Sequence, residues 1–218
     1  MSNHTGDNVD TPVDTSGAAA VPTGNTYDKY ATTNPIEQRM MRGFFDAFDR
    51  FVGAVDAPKR ILEVGIGEGV VTTRLRERFV DSSIVGLDLP DPELAAHWRS
   101  RDLDCVFGDV TRLPYPDSSF DLVLAIEVFE HFDDTGAALA EIARVCSGTL
   151  VASVPFEPIW RIGNMARGRY LRDLGNTPGH VNHFSRRSFS RFVATRFDVA
   201  DVASPLPWTM IRAQRRTP

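Results

Sequence analysis

The chain has 218 residues, 42% of them apolar, with 29 acidic against 24 basic side chains and a net charge of −5. That length suffices for one domain with a sizeable core, and the acidic balance argues against broad nucleic-acid binding, although a local basic patch stays compatible with it. No apolar run approaches the ~20 residues that cross a bilayer, so membrane contact, if any, is peripheral.

The opening "MSNHTGDNVD" has neither the basic nor the apolar region of a secretory signal. Cys105 and Cys146 lack metal-ligand spacing and read as reduced, buried thiols, which suits a cytoplasmic protein. Residues 1–26 are rich in Thr, Asp, Gly, Ala, Pro and Asn, and too poor in large apolar side chains to offset ordering entropy. They are expected to form a disordered tail, with the domain occupying 27–218. Asn34–Pro35 then marks a helix start, and Ile36, Met40, Met41, Phe44, Phe45, Phe48, Phe51 and Val52 follow at helical spacing.

From residue 60 the period changes repeatedly. "RILEVGI", "SSIVGLDL", "LDCVFGDV", "FDLVLAIEV" and "GTLVASVP" read as strands. "GVVTTRLRERF", "DPELAAHWRSR" and "DTGAALAEIARV" read as the helices between them. This alternation predicts an α/β fold, a doubly wound and mostly parallel sheet with helices on both faces. After it come a basic, aromatic helical stretch "EPIWRIGNMARGRYLRDL", a helix in "SRRSFSRFVATRF", and a strand pair from "DVADVAS" and "PWTMIRAQR".

"ILEVGIGEG" puts Gly65, Gly67 and Gly69 between the first strand and a helix, where an open α/β sheet binds ligands. The third glycine arrives one residue too early for a dinucleotide fingerprint, and Glu63 stands two residues before the first. Asp88 ends the second strand about twenty residues on, where a carboxylate accepts both hydroxyls of a ribose. Asp109 ends the third and can receive an amino group on an adenine edge. Three successive strand ends with carboxylates, beside a glycine turn, are more than a solvated surface requires.

In this order "LEVGIGEG", "VGLDL", "GDVTRLPYPDSSFDLVLAIEVFEH" and "LVASVP" resemble the motifs of the class I S-adenosylmethionine-dependent methyltransferases over roughly residues 35–155. The resemblance implies a seven-stranded, Rossmann-like sheet with an antiparallel hairpin at one edge. It implies S-adenosylmethionine as cofactor, with contacts at Glu63, Gly65, Gly67, Gly69, Asp88, Leu89, Asp109, Val110 and Glu127. "LPYPDSSFDLV" looks most like the branch acting on small molecules, lipids and quinones.

"EVFEH" raises a separate question about Glu127, Glu130 and His131. One reading makes Glu127 a strand-end cofactor contact and the other two flanks of the next helix. Another joins them to His180 as a site for a hard or borderline divalent ion that would lower the pKa of an acceptor hydroxyl. Ubiquinone-pathway O-methyltransferases and small-RNA 3′-terminal 2′-O-methyltransferases resemble this chain at Glu-x-x-Glu-His, and in the RNA enzymes those positions and a later His bind a metal. Without an ion, His131, His180 and His183 are the candidates for a general base, although the later pair also fits a turn ahead of a helix capped at Ser185.

Between 157 and 191, arginines 161, 167, 169, 172, 186, 187 and 191 face only Glu157 and Asp173. The stretch at about 157–184 is expected to be a basic substrate cap for an anionic or lipid-linked acceptor, or a surface lying against a membrane. The leading expectation is O-methylation of a small or lipid-linked acceptor. Metal-dependent RNA 2′-O-methylation and non-catalytic cofactor binding are the alternatives. Oligomeric state is not readable.

Overall fold

The structure, a computed structural model, describes residues 33–156 and 181–216. The expected tail, His180 and all of the expected cap before residue 181 lie outside the described residues.

Helix α1 (Pro35–Gly53) begins where expected: the Asn34 side chain accepts from the Ile36 amide at 2.9 Å, and proline takes the first helical position. Its buried stripe is Phe44, Ala47, Phe48, Phe51 and Val52. There follow β1 (Arg60–Val64), α2 (Val70–Arg78), β2 (Ser83–Asp88), α3 (Pro92–Ser100), β3 (Cys105–Phe107) and β4 (Phe120–Ile126). The described chain then continues through α4 (Thr135–Val145), β5 (Cys146–Pro155), α5 (Arg186–Val193), β6 (Phe197–Ala203) and β7 (Trp208–Arg215). Strand β5 starts two residues earlier than its apolar run: Cys146 pairs with Phe120 ahead of a register shift in β4, and the Ser147 hydroxyl donates to the Phe120 carbonyl at 2.9 Å. Ser185 and Ser188 form a reciprocal capping box at the start of α5.

The seven strands run in the order β3-β2-β1-β4-β5-β7-β6. Pairings among the first five are parallel, and β7 pairs antiparallel with both β5 and β6. This is the Rossmann-like architecture expected of the sequence. Side chains alternate across β1: Ile61 joins the core formed with α1 and α2, whereas Leu62 and Val64 join the core formed with α4 and α5. Strand order reverses between β1 and β4, so the carboxyl ends of these two strands border the crevice where such sheets bind ligands. The glycine turn and Glu127 follow those two ends.

Candidate functional site

The glycine turn is left-handed at three places, with φ of +69° at Gly65, +53° at Gly67 and +82° at Gly69. At Gly65 the constraint is also steric, since a Cβ there would lie 2.5 Å from a Val128 methyl. The coil is pinned from both sides. Gly65 donates to the Leu87 carbonyl at 2.7 Å, and the Trp98 indole N–H donates to the Gly67 carbonyl at 2.7 Å.

Asp88 meets this turn directly. Its Oδ2 accepts from the Gly67 amide at 2.7 Å and its Oδ1 from the Leu89 amide at 2.8 Å. Burial moves the carboxyl upward from its ordinary pKa and the two amides oppose that shift. Leu89 and Phe107 expose apolar surface next to it, and Phe107 stacks obliquely on Trp98 at 4.8 Å. Asp109 is exposed, with its Oδ1 accepting from the Thr111 amide and hydroxyl, both at 2.8 Å. It caps a short 3₁₀ turn whose first residue, Val110, is buried.

Glu63 is 2% exposed, facing α2, and accepts a very short hydrogen bond from the Thr72 hydroxyl. Desolvation pushes its carboxyl up to about 8, with nearby Asp88 adding to the rise. A neutral acid therefore lies directly beneath the glycine turn.

Glu127, just beyond β4, is a non-glycine residue with φ +56°, and its amide donates to the Ser153 carbonyl at 2.9 Å. A single left-handed turn there lifts the chain out of the sheet into a 3₁₀ turn at Phe129–His131. Glu130 is buried and His131 half-buried. The distant "HVNH" segment reaches this turn: the Val181 and Asn182 amides donate to the Glu130 carbonyl at 2.9 and 3.1 Å. The Asn182 side-chain amide donates to the Phe129 and Phe132 carbonyls. His183 is exposed on the following residue. The two histidine-bearing motifs thus meet through backbone and Asn182. Among the described residues, no group of three or more His, Cys, Asp and Glu side chains is placed to hold a metal ion, and His180 lies outside them.

Thr72, Trp98, Phe107 and Asn182 escaped the sequence reading. Phe107 alone had a visible signal, an aromatic at a strand end two residues before an acid.

Comparison with known proteins places this geometry. A methyltransferase-domain family profile matches residues 62–149. The chain is 37% identical over 108 residues to a demethylmenaquinone methyltransferase of Thermus thermophilus, covering 47% of this chain and 49% of that protein. It is 36% identical over 93 residues to a malonyl-[acyl-carrier protein] O-methyltransferase of Halorhodospira halophila, covering 40% and 31%. The matched stretch therefore spans about half or less of these relatives' length. An S-adenosylmethionine-dependent methyltransferase from Aquifex aeolicus superposes with a TM-score of 0.64 at 15% identity, over 84% of this chain and 94% of that one, which supports the fold. With the seven-stranded sheet, these matches show that residues 62–149 are similar to a methyltransferase domain and that the chain has the fold of the class I S-adenosylmethionine-dependent methyltransferases.

Proposed function

We propose that the chain transfers a methyl group from S-adenosylmethionine to an oxygen of a small or lipid-linked acceptor. The observation carrying this is Asp88: each carboxylate oxygen already holds one backbone amide and keeps lone-pair capacity for a ribose hydroxyl. Leu89 and Phe107 offer apolar surface for an adenine, and Asp109 offers its Oδ2 to an exocyclic amine. The left-handed glycine turn allows backbone approach to the methionine portion, and Glu127 follows β4 on the other side of the switch point. When bound, the cofactor supplies an activated methyl on a sulfonium.

The protein's share of the work is then placement of the acceptor, exclusion of water and removal of the acceptor proton. His131 and His183 are the described candidates for that proton, with His180 as the third. The names of the relatives, a quinone-type and an acyl-carrier-type methyltransferase, favour a small or lipid-linked acceptor. The exposed arginines Arg186, Arg187 and Arg191 of α5 suit an acceptor carrying negative charge. Incubation with methyl-labelled cofactor and fractionated small-molecule, lipid and RNA pools tests this. A labelled lipid or small molecule supports the reading, and labelled RNA or no product overturns it.

A second reading has one observation in its favour. The Val181 and Asn182 amides on the Glu130 carbonyl bring the residue after His180 to the Glu-x-x-Glu-His turn. In this reading Glu127, Glu130, His131 and His180 hold a divalent ion and the acceptor is an RNA 3′ end.

A further inference from the structure

We infer that Glu63 lets the site distinguish the cationic methyl donor from its neutral demethylated product, releasing a proton when the donor's positive charge arrives and recovering it when that charge is lost. The inference rests on the function proposed above and concerns a buried acid that methyl transfer itself does not need.

In the sheet register Glu63 stands beside Gly86 of β2, and Gly86 stands beside Cys105 of β3. Gly86 leaves a gap in this row that the Ile66 side chain fills, since a Cβ there would overlap Ile66 Cδ1. Ile66 belongs to the glycine turn, so the turn packs over the row that carries the carboxyl. From α2, Thr72 faces it, with its hydroxyl donating to Oε2 and its backbone amide also donating to the carboxyl. From β2 comes Asp88, and from β3 the Cys105 thiol, which burial pushes up to about 11. On the β4 side its register partner is Leu124. Among the described residues no basic side chain pairs with Glu63.

The acid is thus buried, next to a second carboxylate and without a cation, which is why its carboxyl lies near 8. A positive charge delivered to the turn above would act through a poorly screened medium and favour the carboxylate. Methyl transfer removes that charge. The C–S bond breaks with its electron pair left on sulfur, the acceptor oxygen gains the methyl and loses its proton, and the sulfonium becomes a neutral thioether. Glu63 then takes a proton from solvent, its carboxylate no longer supports the ligand, and product release is favoured. The donor and product share their ribose, adenine, amino and carboxylate groups, so a difference in proton linkage between them isolates the sulfonium charge.

The test is calorimetry of the full chain with S-adenosylmethionine and S-adenosylhomocysteine at about pH 8, in buffers of low and high ionisation enthalpy. Donor binding is expected to release about half a proton more than product binding, and the donor-to-product affinity ratio to rise about tenfold between about pH 6.5 and 8. Glu63→Gln, which keeps shape and the Thr72 partner, should abolish both differences. Identical buffer dependence for the two compounds in the unaltered protein overturns the inference while leaving the proposed function standing. So does a Glu63→Gln protein that keeps the difference. Failure of both compounds to bind overturns the proposed function and the inference together.

Discussion

Asn182 holds Glu130 through the backbone: its amide donates to the Glu130 carbonyl at 3.1 Å, while its side chain donates to the carbonyls of Phe129 and Phe132 on either side. One residue therefore satisfies acceptors across a whole 3₁₀ turn that has no side-chain cap of its own. Asn182→Ala would strand partly buried carbonyls and should cost about 1–3 kcal/mol in urea unfolding. Asn182→Asp, which removes the donors but keeps the size, should cost as much. A neutral result for both would show that the clamp holds nothing in place.

Asp88→Ala removes the acceptor that orders the Gly67 and Leu89 amides as well as the expected ribose contact. Cofactor affinity should fall by about 1.5–3 kcal/mol by calorimetry. Unchanged affinity would remove Asp88 from the cofactor site.

Glu127 occupies a left-handed conformation that glycine adopts without strain. Glu127→Gly should leave the melting temperature close to that of the unaltered protein, because relief of backbone strain of about 1 kcal/mol offsets the lost side chain. Cofactor affinity should fall at least severalfold. A variant that melts much earlier and binds normally would make Glu127 a structural residue.

Arg144 ties together the loop before β4. It donates to the carbonyls of Leu113 and Tyr115, at 3.0 and 2.7 Å, and to Glu141 and Asp117. The Arg144 hydrogen bonds hold the Glu141 carboxyl below its ordinary range. A depressed carboxyl contributes stability that is present above its unfolded pKa of ~4.5 and lost as pH falls through the lower folded value. Acid unfolding should show that loss below about pH 4.5, and Arg144→Ala should flatten it while lowering stability at neutral pH by about 2 kcal/mol. An unchanged acid limb would dissociate the pair from stability.

The metal reading separates cleanly from the histidine-base reading. With an ion at Glu127, Glu130, His131 and His180, a chelator should abolish turnover, Mg²⁺, Mn²⁺ or Zn²⁺ should restore it, and His180→Ala should mimic the chelator with little change in cofactor affinity. With a histidine base, chelation does nothing and activity falls with acid near an imidazole pKa. Chelator-resistant turnover with that pH profile ends the metal reading.

The sheet was legible because its signals are local. Apolar runs of Val, Ile and Leu end at Val64, Leu89 and Ile126, and each is followed by a glycine, a proline or a carboxylate, namely Gly65, Pro90 and Glu127. The same locality exposed the glycine turn and its acids. The contacts that organise the site are not local. Trp98 reaches Gly67 across 31 positions, Asn182 reaches Phe129 across 53, and Thr72 meets Glu63 only because α2 folds back over β1. No spacing rule encodes such meetings, since each depends on where two separately built elements come to lie. His183 illustrates the same limit: its motif was visible, but its exposure on the residue after a clamp was not.

Strand β7 has a consequence for how the chain is made. It lies between β5 and β6, so β6 has no neighbour in the sheet until Trp208–Arg215 has been synthesised. Until then the backbone of Thr149–Pro155, opposite its pairing with β4, also lacks a partner. A nascent or truncated chain stopping before Trp208 would present that apolar edge to any other strand nearby. Such fragments should be captured by chaperones or aggregate, although they would contain the glycine turn, Asp88 and Glu127 complete. Integrity of β7, which supplies none of the candidate ligand contacts, would therefore govern the yield of active protein.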